Sequence, residues 1–186
     1  MFMRLSVGIF TLIFLLSLSQ HGFGQQFKTF APFGEEFTLQ SPCQMKRDAK
    51  EIMTDIGRLS HVSYSCGPQE EDKNFAYIIS YVDYPEGTFH PDSLDLISDV
   101  LSESVEQQAE HLGGNIIYSA DMDDLGFKGQ LYRIAYKDAK IFVKGRVLLV
   151  GDRIYHLQVF ALAENSLNDA MDVFLNSFAV DKSSGK

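Results

Sequence analysis

The chain has 186 residues, 45% hydrophobic and 22% charged, values near the globular average. That length suits one domain, and the composition argues against wholesale disorder, a collagen repeat or a multi-span membrane protein. With 16 basic against 25 acidic residues the net charge is −9, which repels phosphate backbones and argues against a nucleic-acid partner.

In chain order, the first element is an export signal over residues 1–24. Arg4 gives the positive start, Val7 to Leu18 is an apolar run broken only by Gly8, Thr11 and Ser17, and Gly22 and Gly24 place small residues before a cut ahead of Gln25. The run is shorter than the ~20 residues a membrane span needs, so no stable span is expected after cleavage. The expected mature chain is a single domain over 25–180 with a polar, frayed tail over 181–186. An exported chain meets an oxidising compartment, and its only two cysteines, Cys43 and Cys66, are then expected to pair. Antiparallel strands over 37–45 and 58–66, turning near Thr54–Gly57, place Cys43 opposite Cys66. Closing that loop contributes roughly 3 kcal/mol in the chain-entropy account. The competing reading is two buried free thiols; no C-x-x-C is present to make a redox pair.

Phe75–Tyr84 is rich in aromatic and β-branched residues and ends at Pro85-Glu86-Gly87, which reads as a strand. Leu94, Ile97, Leu101, Val105 and Leu112 fall at helical spacing, with Asp92 or Ser93 as cap and Gly113-Gly114 as stop. Asp95, Asp99, Glu103, Glu106 and Glu110 make the other face of that helix an acidic, solvated one. Short strands follow over 115–120 and 129–136. Ile141–Val150 and Arg153–Leu162 form a hairpin around Gly151-Asp152. Both arms are apolar on both faces, with Leu148 on one and Leu149 on the other, so this hairpin is expected at the centre of a sheet covered on both sides. A helix over 167–176, capped by Asn165 or Ser166, and a short strand over 177–180 complete the chain.

Candidate chemistry is sparse. Asp121-Met122-Asp123-Asp124 offers hard oxygen ligands, but a calcium loop would need an oxygen ligand where Leu125 stands and a bidentate Glu where Tyr132 stands. The stretch reads instead as a solvated acidic turn. The histidines of the mature chain, His61, His90, His111 and His156, show no H-x-H or H-x-x-x-H spacing, so no metal site is expected. His156, between Tyr155 and Leu157 in mid-strand, reads as a satisfied core residue. There is no G-x-S-x-G elbow, no catalytic cysteine signature and no phosphate loop, so neither a catalytic residue nor a cofactor is assigned. In the register set by Gly151-Asp152, Lys144, Arg146, Arg153 and Tyr155 share one face. They form a candidate anion-binding or partner patch, against the alternative of strand ends whose stems snorkel to solvent.

The segments Phe37-Thr38-Leu39-Gln40-Ser41-Pro42, Tyr81-Val82-Asp83-Tyr84-Pro85, Gly126-Phe127-Lys128-Gly129, Arg146–Tyr155 and Phe174-Leu175-Asn176-Ser177-Phe178, in that order, resemble the PsbP-like family. That group is named for subunit P of the photosystem II oxygen-evolving complex. The resemblance implies an α+β fold in which an antiparallel β-sheet is sandwiched between helices. It implies no activity, since the group is not built around one catalytic site. The first functional expectation is therefore an exported, non-catalytic interaction or assembly-accessory module acting on a protein partner. The second, from the 15 Phe and 8 Tyr, is a periplasmic binder of a small apolar ligand or lipid held between the sheet and the long helix. The third is a hydrolase without a recognisable motif. A pocket beside the helix would speak for the ligand reading, and an exposed apolar patch for the partner reading.

Overall fold

The computed structural model describes residues 26–180, apart from 55, 69–71, 125 and the side chain of Asp124. The expected export signal over 1–24 and the tail over 181–186 lie outside the described residues. Among the described residues, ten strands and two α-helices follow in the order β1 (Lys28–Phe30), β2 (Phe37–Ser41), β3 (Lys46–Thr54), β4 (Gly57–Cys66), β5 (Asn74–Asp83), α1 (Leu94–Leu112), β6 (Asn115–Asp124), β7 (Phe127–Tyr136), β8 (Ile141–Val150), β9 (Arg153–Leu162), α2 (Asp169–Asn176) and β10 (Ala179–Val180). The fold is α+β and mostly sheet. Seven strands make one antiparallel sheet, ordered β3-β4-β5-β9-β8-β7-β6, and β1, β2 and β10 make a small second sheet.

The central position of the β8–β9 hairpin follows from its sequence. Gly151 takes a left-handed φ of 61°, the conformation that a tight hairpin turn requires and glycine adopts without strain. From that turn the strands zip in the expected register, with Arg146 opposite Leu157 and Lys144 opposite Val159. Leu148 and Leu149 point to opposite faces and are both buried, at 2% and 8% exposure. Next to the turn, Asp152 clasps the β5–α1 connection by accepting from the backbone N–H groups of Gly87 at 2.8 Å and Phe89 at 2.9 Å. Those two bonds hold its carboxyl below the usual carboxylate range.

Each face of the large sheet carries its own core. On one face α1 buries Ile97, Leu101, Val105 and Ala109 against Tyr132, Ile134, Val143, Val147 and Leu149. Tyr132 crosses Gly145, where a Cβ would come within 2.4 Å of its ring, and its hydroxyl accepts from Gln158 Nε2 at 2.8 Å. On the other face, Tyr77, Ile79, Leu148, Tyr155, Leu157 and Val159 pack with Met171, Phe174 and Leu175 of α2 and with Phe37 and Leu39 of β2. This second face is thus covered by a helix together with the small sheet, not by helices alone. On the first face, α1 sits over β6, β7 and β8 and leaves the β3–β5 half without a helix.

Several expected boundaries move. Residues 37–45 do not pair with 58–66: β2 belongs to the small sheet, and β4 pairs instead with β3, Lys46 opposite Ser65. The cysteines are bonded nonetheless. Cys43, in the β2–β3 loop, joins Cys66 at the end of β4, with no free cysteine among the described residues. Asp121–Asp124 is not a turn but the second half of β6, paired with β7 from Gln130 to Phe127. The last helix starts at Asp169, capped by Asn168, whose Oδ1 accepts from the Met171 N–H at 3.2 Å; residues 163–165 form a separate 3-10 turn.

Candidate functional site

The four residues of the expected patch do share a face, but it is the covered one, and their polar groups are met from within the protein. Lys144 Nζ pairs with Asp172 of α2. Arg146 is 2% exposed, and its Nη1 donates to the Leu175 carbonyl at 2.7 Å and to Asn176 Oδ1 at 3.3 Å, closing the C-terminal end of α2. Arg153 grips the Asp83 carboxylate through Nε and Nη2, donates from Nη1 to Tyr155 Oη at 3.2 Å, and lies 4.0 Å from the centre of the Tyr81 ring. Behind it stands Glu35, in the β1–β2 connection. Its Oε1 accepts from Tyr64 Oη at 2.9 Å and Tyr81 Oη at 2.7 Å, and its Oε2 lies 3.4 Å from Arg153 Nη1. Burial, with the Glu35 carboxylate next, raises the Tyr64 and Tyr81 hydroxyls above the usual phenol range. Asp83 and Glu35 reach Arg153, and Asp172 reaches Lys144, only because strands and helix far apart in sequence converge on this face.

Two clefts flank α1. One, of about 400 Å³, lies between its first half and β6–β7 and is lined by Leu94, Ile97, Leu101, Met122 and the carboxylates Asp121 and Asp123. Asp121 Oδ1 accepts from Gln130 Nε2 at 3.0 Å, and Asp123 Oδ2 accepts from Lys128 Nζ at 2.7 Å. Among the described residues no three His, Cys, Asp or Glu side chains come together as a metal shell. The second cleft, of about 310 Å³, lies on the opposite flank, over the half of the sheet that α1 leaves open. Its floor holds His61 and His156. Sequence reasoning took His156 for a satisfied core residue, yet its Nδ1 and that of His61 are buried without a hydrogen-bond partner. Burial, with His61 next to it, pushes the His156 imidazole down to about 4. Burial and the Lys50 ammonium lower His61.

The edges of the large sheet differ sharply. β3 displays Lys46, Arg47, Asp48, Lys50 and Glu51 to solvent, the charge that keeps an open edge from pairing. β6, the other edge, has no charged residue from Asn115 to Ala120 and leaves Ile116, Ile117 and Tyr118 exposed at 37%, 53% and 37%. The register slips between Ile116 and Tyr118, so Ile117 stands outside the ladder.

Among solved structures, cyanobacterial PsbP (CyanoP) from Synechocystis sp. PCC 6803, a solution structure, superposes with a TM-score of 0.58 over 86% of this chain and 95% of that one, at 9% identity. The fold is PsbP-like. A Pseudomonas aeruginosa protein of unknown function, described as a putative regulator, is similar at a TM-score of 0.40 and 7% identity over 75% of this chain and 85% of that one, too distant to carry an argument. No family model and no curated protein matches the sequence. The expected PsbP-like resemblance thus holds at the level of the fold, and an identity of 9% speaks for the fold alone.

Proposed function

We propose that the chain is an exported, non-catalytic interaction module that binds a protein partner by adding a strand to the β6 edge. The observation that carries this reading is the contrast between the two edges: charged along β3, apolar along the first half of β6. An open edge presents a row of backbone donors and acceptors, and exposed alternate side chains supply specificity. The occupant that fits is an extended segment, apolar where it faces Ile116–Tyr118 and basic where it passes Asp121 and Asp123. The net charge of −9 favours a cationic partner in the same sense. The PsbP-like fold supports an accessory role, since the resemblance implies no activity. A Cys43–Cys66 bond suits an oxidising compartment, which supports export.

Export is checked by intact mass of the mature protein, which should begin at or near Gln25; a full-length chain held in the membrane would sink it. The docking edge is checked by capture with Ile117→Lys, using Ile56→Lys on an unrelated exposed turn as control. Proteins recovered by the native chain and by the control should fall at least about tenfold with Ile117→Lys, at unchanged melting temperature. Equal recovery by all three chains would reject the β6 edge as the binding surface.

A further inference from the structure

The second cleft carries an assignment that the interaction reading does not use. Its walls come from both sides: His61, Ser80 and His156 from β4, β5 and β9, and Ser104, Gln108 and His111 from the flank of α1. The pairing explains why the floor side chains meet. Ser80 lies directly opposite His156 in the β5–β9 ladder, and His61 lies opposite Val82, two residues further along the same face. Among the described residues no Asp, Glu, Lys or Arg lines the cleft. With the His61 and His156 imidazoles held neutral at pH 7, the lining sets hydroxyls, amides and imidazoles beside the Tyr81 and Tyr84 rings and the aliphatic Ile52, Val82 and Ile154.

That lining selects by charge and polarity. An ionic ligand would lose its hydration and meet no charged side chain in the lining, where Lys50 and Asp48 act on His61 in opposite senses from outside it, and an apolar one would cover hydroxyls and amides without replacing their bonds to water. A ligand carrying many hydroxyls exchanges donors and acceptors with every polar wall group. The Nδ1 atoms of His61 and His156 add a specific demand. Each is a buried polar atom without a partner, a rare and costly condition in a folded protein. Both residues line the cleft, and a ligand hydroxyl there is the partner that this reading assigns to them. The volume of about 310 Å³ falls at the lower end of the ~300–1,000 Å³ typical of small-molecule sites. We propose that this cleft binds a neutral, hydroxyl-rich small molecule of the sugar or polyol class.

Nuclear magnetic resonance on the purified mature protein at pH 7.5 tests this, with glucose and maltose as probes, glucuronate as the charged counterpart and hexanoate as the apolar one. At least one neutral sugar should shift the imidazole signals of His61 and His156 saturably, and glucuronate should bind at least about tenfold more weakly. Gln108→Ala lies on a solvated flank of α1 and should fold normally; it should weaken sugar binding several-fold, and Ser80→Ala should do the same from the opposite wall. Failure of both sugars to shift either ring up to their solubility limits would overturn the proposal. So would a saturable response of the rings to hexanoate alone, or sugar binding unaffected by both substitutions. None of these outcomes depends on the β6 edge, so the two proposals stand or fall separately.

Discussion

Glu35 shows how much can depend on one side chain that no motif marks. It is the common acceptor for two phenols and lies against a guanidinium, and its own side chain is 9% exposed. Glu35→Ala removes the acceptor of the Tyr64 and Tyr81 hydroxyls and one partner of Arg153. The expected cost is about 1.5–3 kcal/mol by urea denaturation, the range for hydrogen bonds to a charged group; a change within about 0.5 kcal/mol would show that the cluster is decorative. His156 predicts a pH dependence of definite sign. Its folded value is depressed to about 4 from 6.5, so acidification protonates the unfolded chain first and favours it. The stability due to the neutral ring is therefore complete above pH 6.5 and is lost as pH falls towards 4, by up to about 3 kcal/mol. Urea midpoints at pH 7 and pH 4.5 should differ less for His156→Gln than for the native chain. An identical difference would mean that the imidazole titrates normally.

At the scale of elements, the β8–β9 hairpin tests the two-faced sheet. Leu148→Ala opens the core under α2 and Leu149→Ala the core under α1, and each should cost roughly 2–5 kcal/mol. One costly and one neutral change would mean that only one face is packed. This hairpin was legible in the sequence because its turn is two residues long and both of its faces are apolar. The helix Leu94–Leu112 was legible because its burial follows a 3.6-residue period to a left-handed Gly113. β3 was not, since nearly every residue of it is exposed and its side chains record no alternation. That silence also misdirected the cysteines: with β3 unseen, residues 37–45 took its place beside β4, and the bond was assigned to a ladder instead of to a loop anchored on a strand end. The shared face of Lys144, Arg146, Arg153 and Tyr155 could be read from the two-residue turn that sets the register of their strands. Their partners could not, because Asp172, Asp83 and Glu35 lie 28, 70 and 118 residues distant. The same limit hid the second cleft, whose walls come from five separate elements. Replacing both cysteines by serine should lower stability by roughly 3 kcal/mol, the loop-closure value for a separation of 23 residues, and an unchanged urea midpoint would show that the bond adds nothing to the fold.

For the whole molecule, the small sheet is where the two ends of the domain meet. β2 lies between β1 and β10, Val180 pairs with Phe37, and the Gln40 N–H donates to Ser177 Oγ at 2.8 Å across 137 residues. Phe37 packs against Phe178, and both lie in the same core as α2. During synthesis, therefore, a segment made among the first must wait for one made among the last. Until residues 169–180 emerge, Phe37, Leu39, Tyr77 and Leu157 have no lid, and the covered face of the large sheet stays open to solvent. A chain ended after Ser166 should be recovered as aggregate or bound to chaperone, while the full chain folds; a soluble, cooperatively melting product would show that the lid is dispensable. Closure by the last-made segment is slow, because so many residues separate the contacts that complete it. A nascent chain of this topology keeps that face of its sheet uncovered until translation is nearly finished.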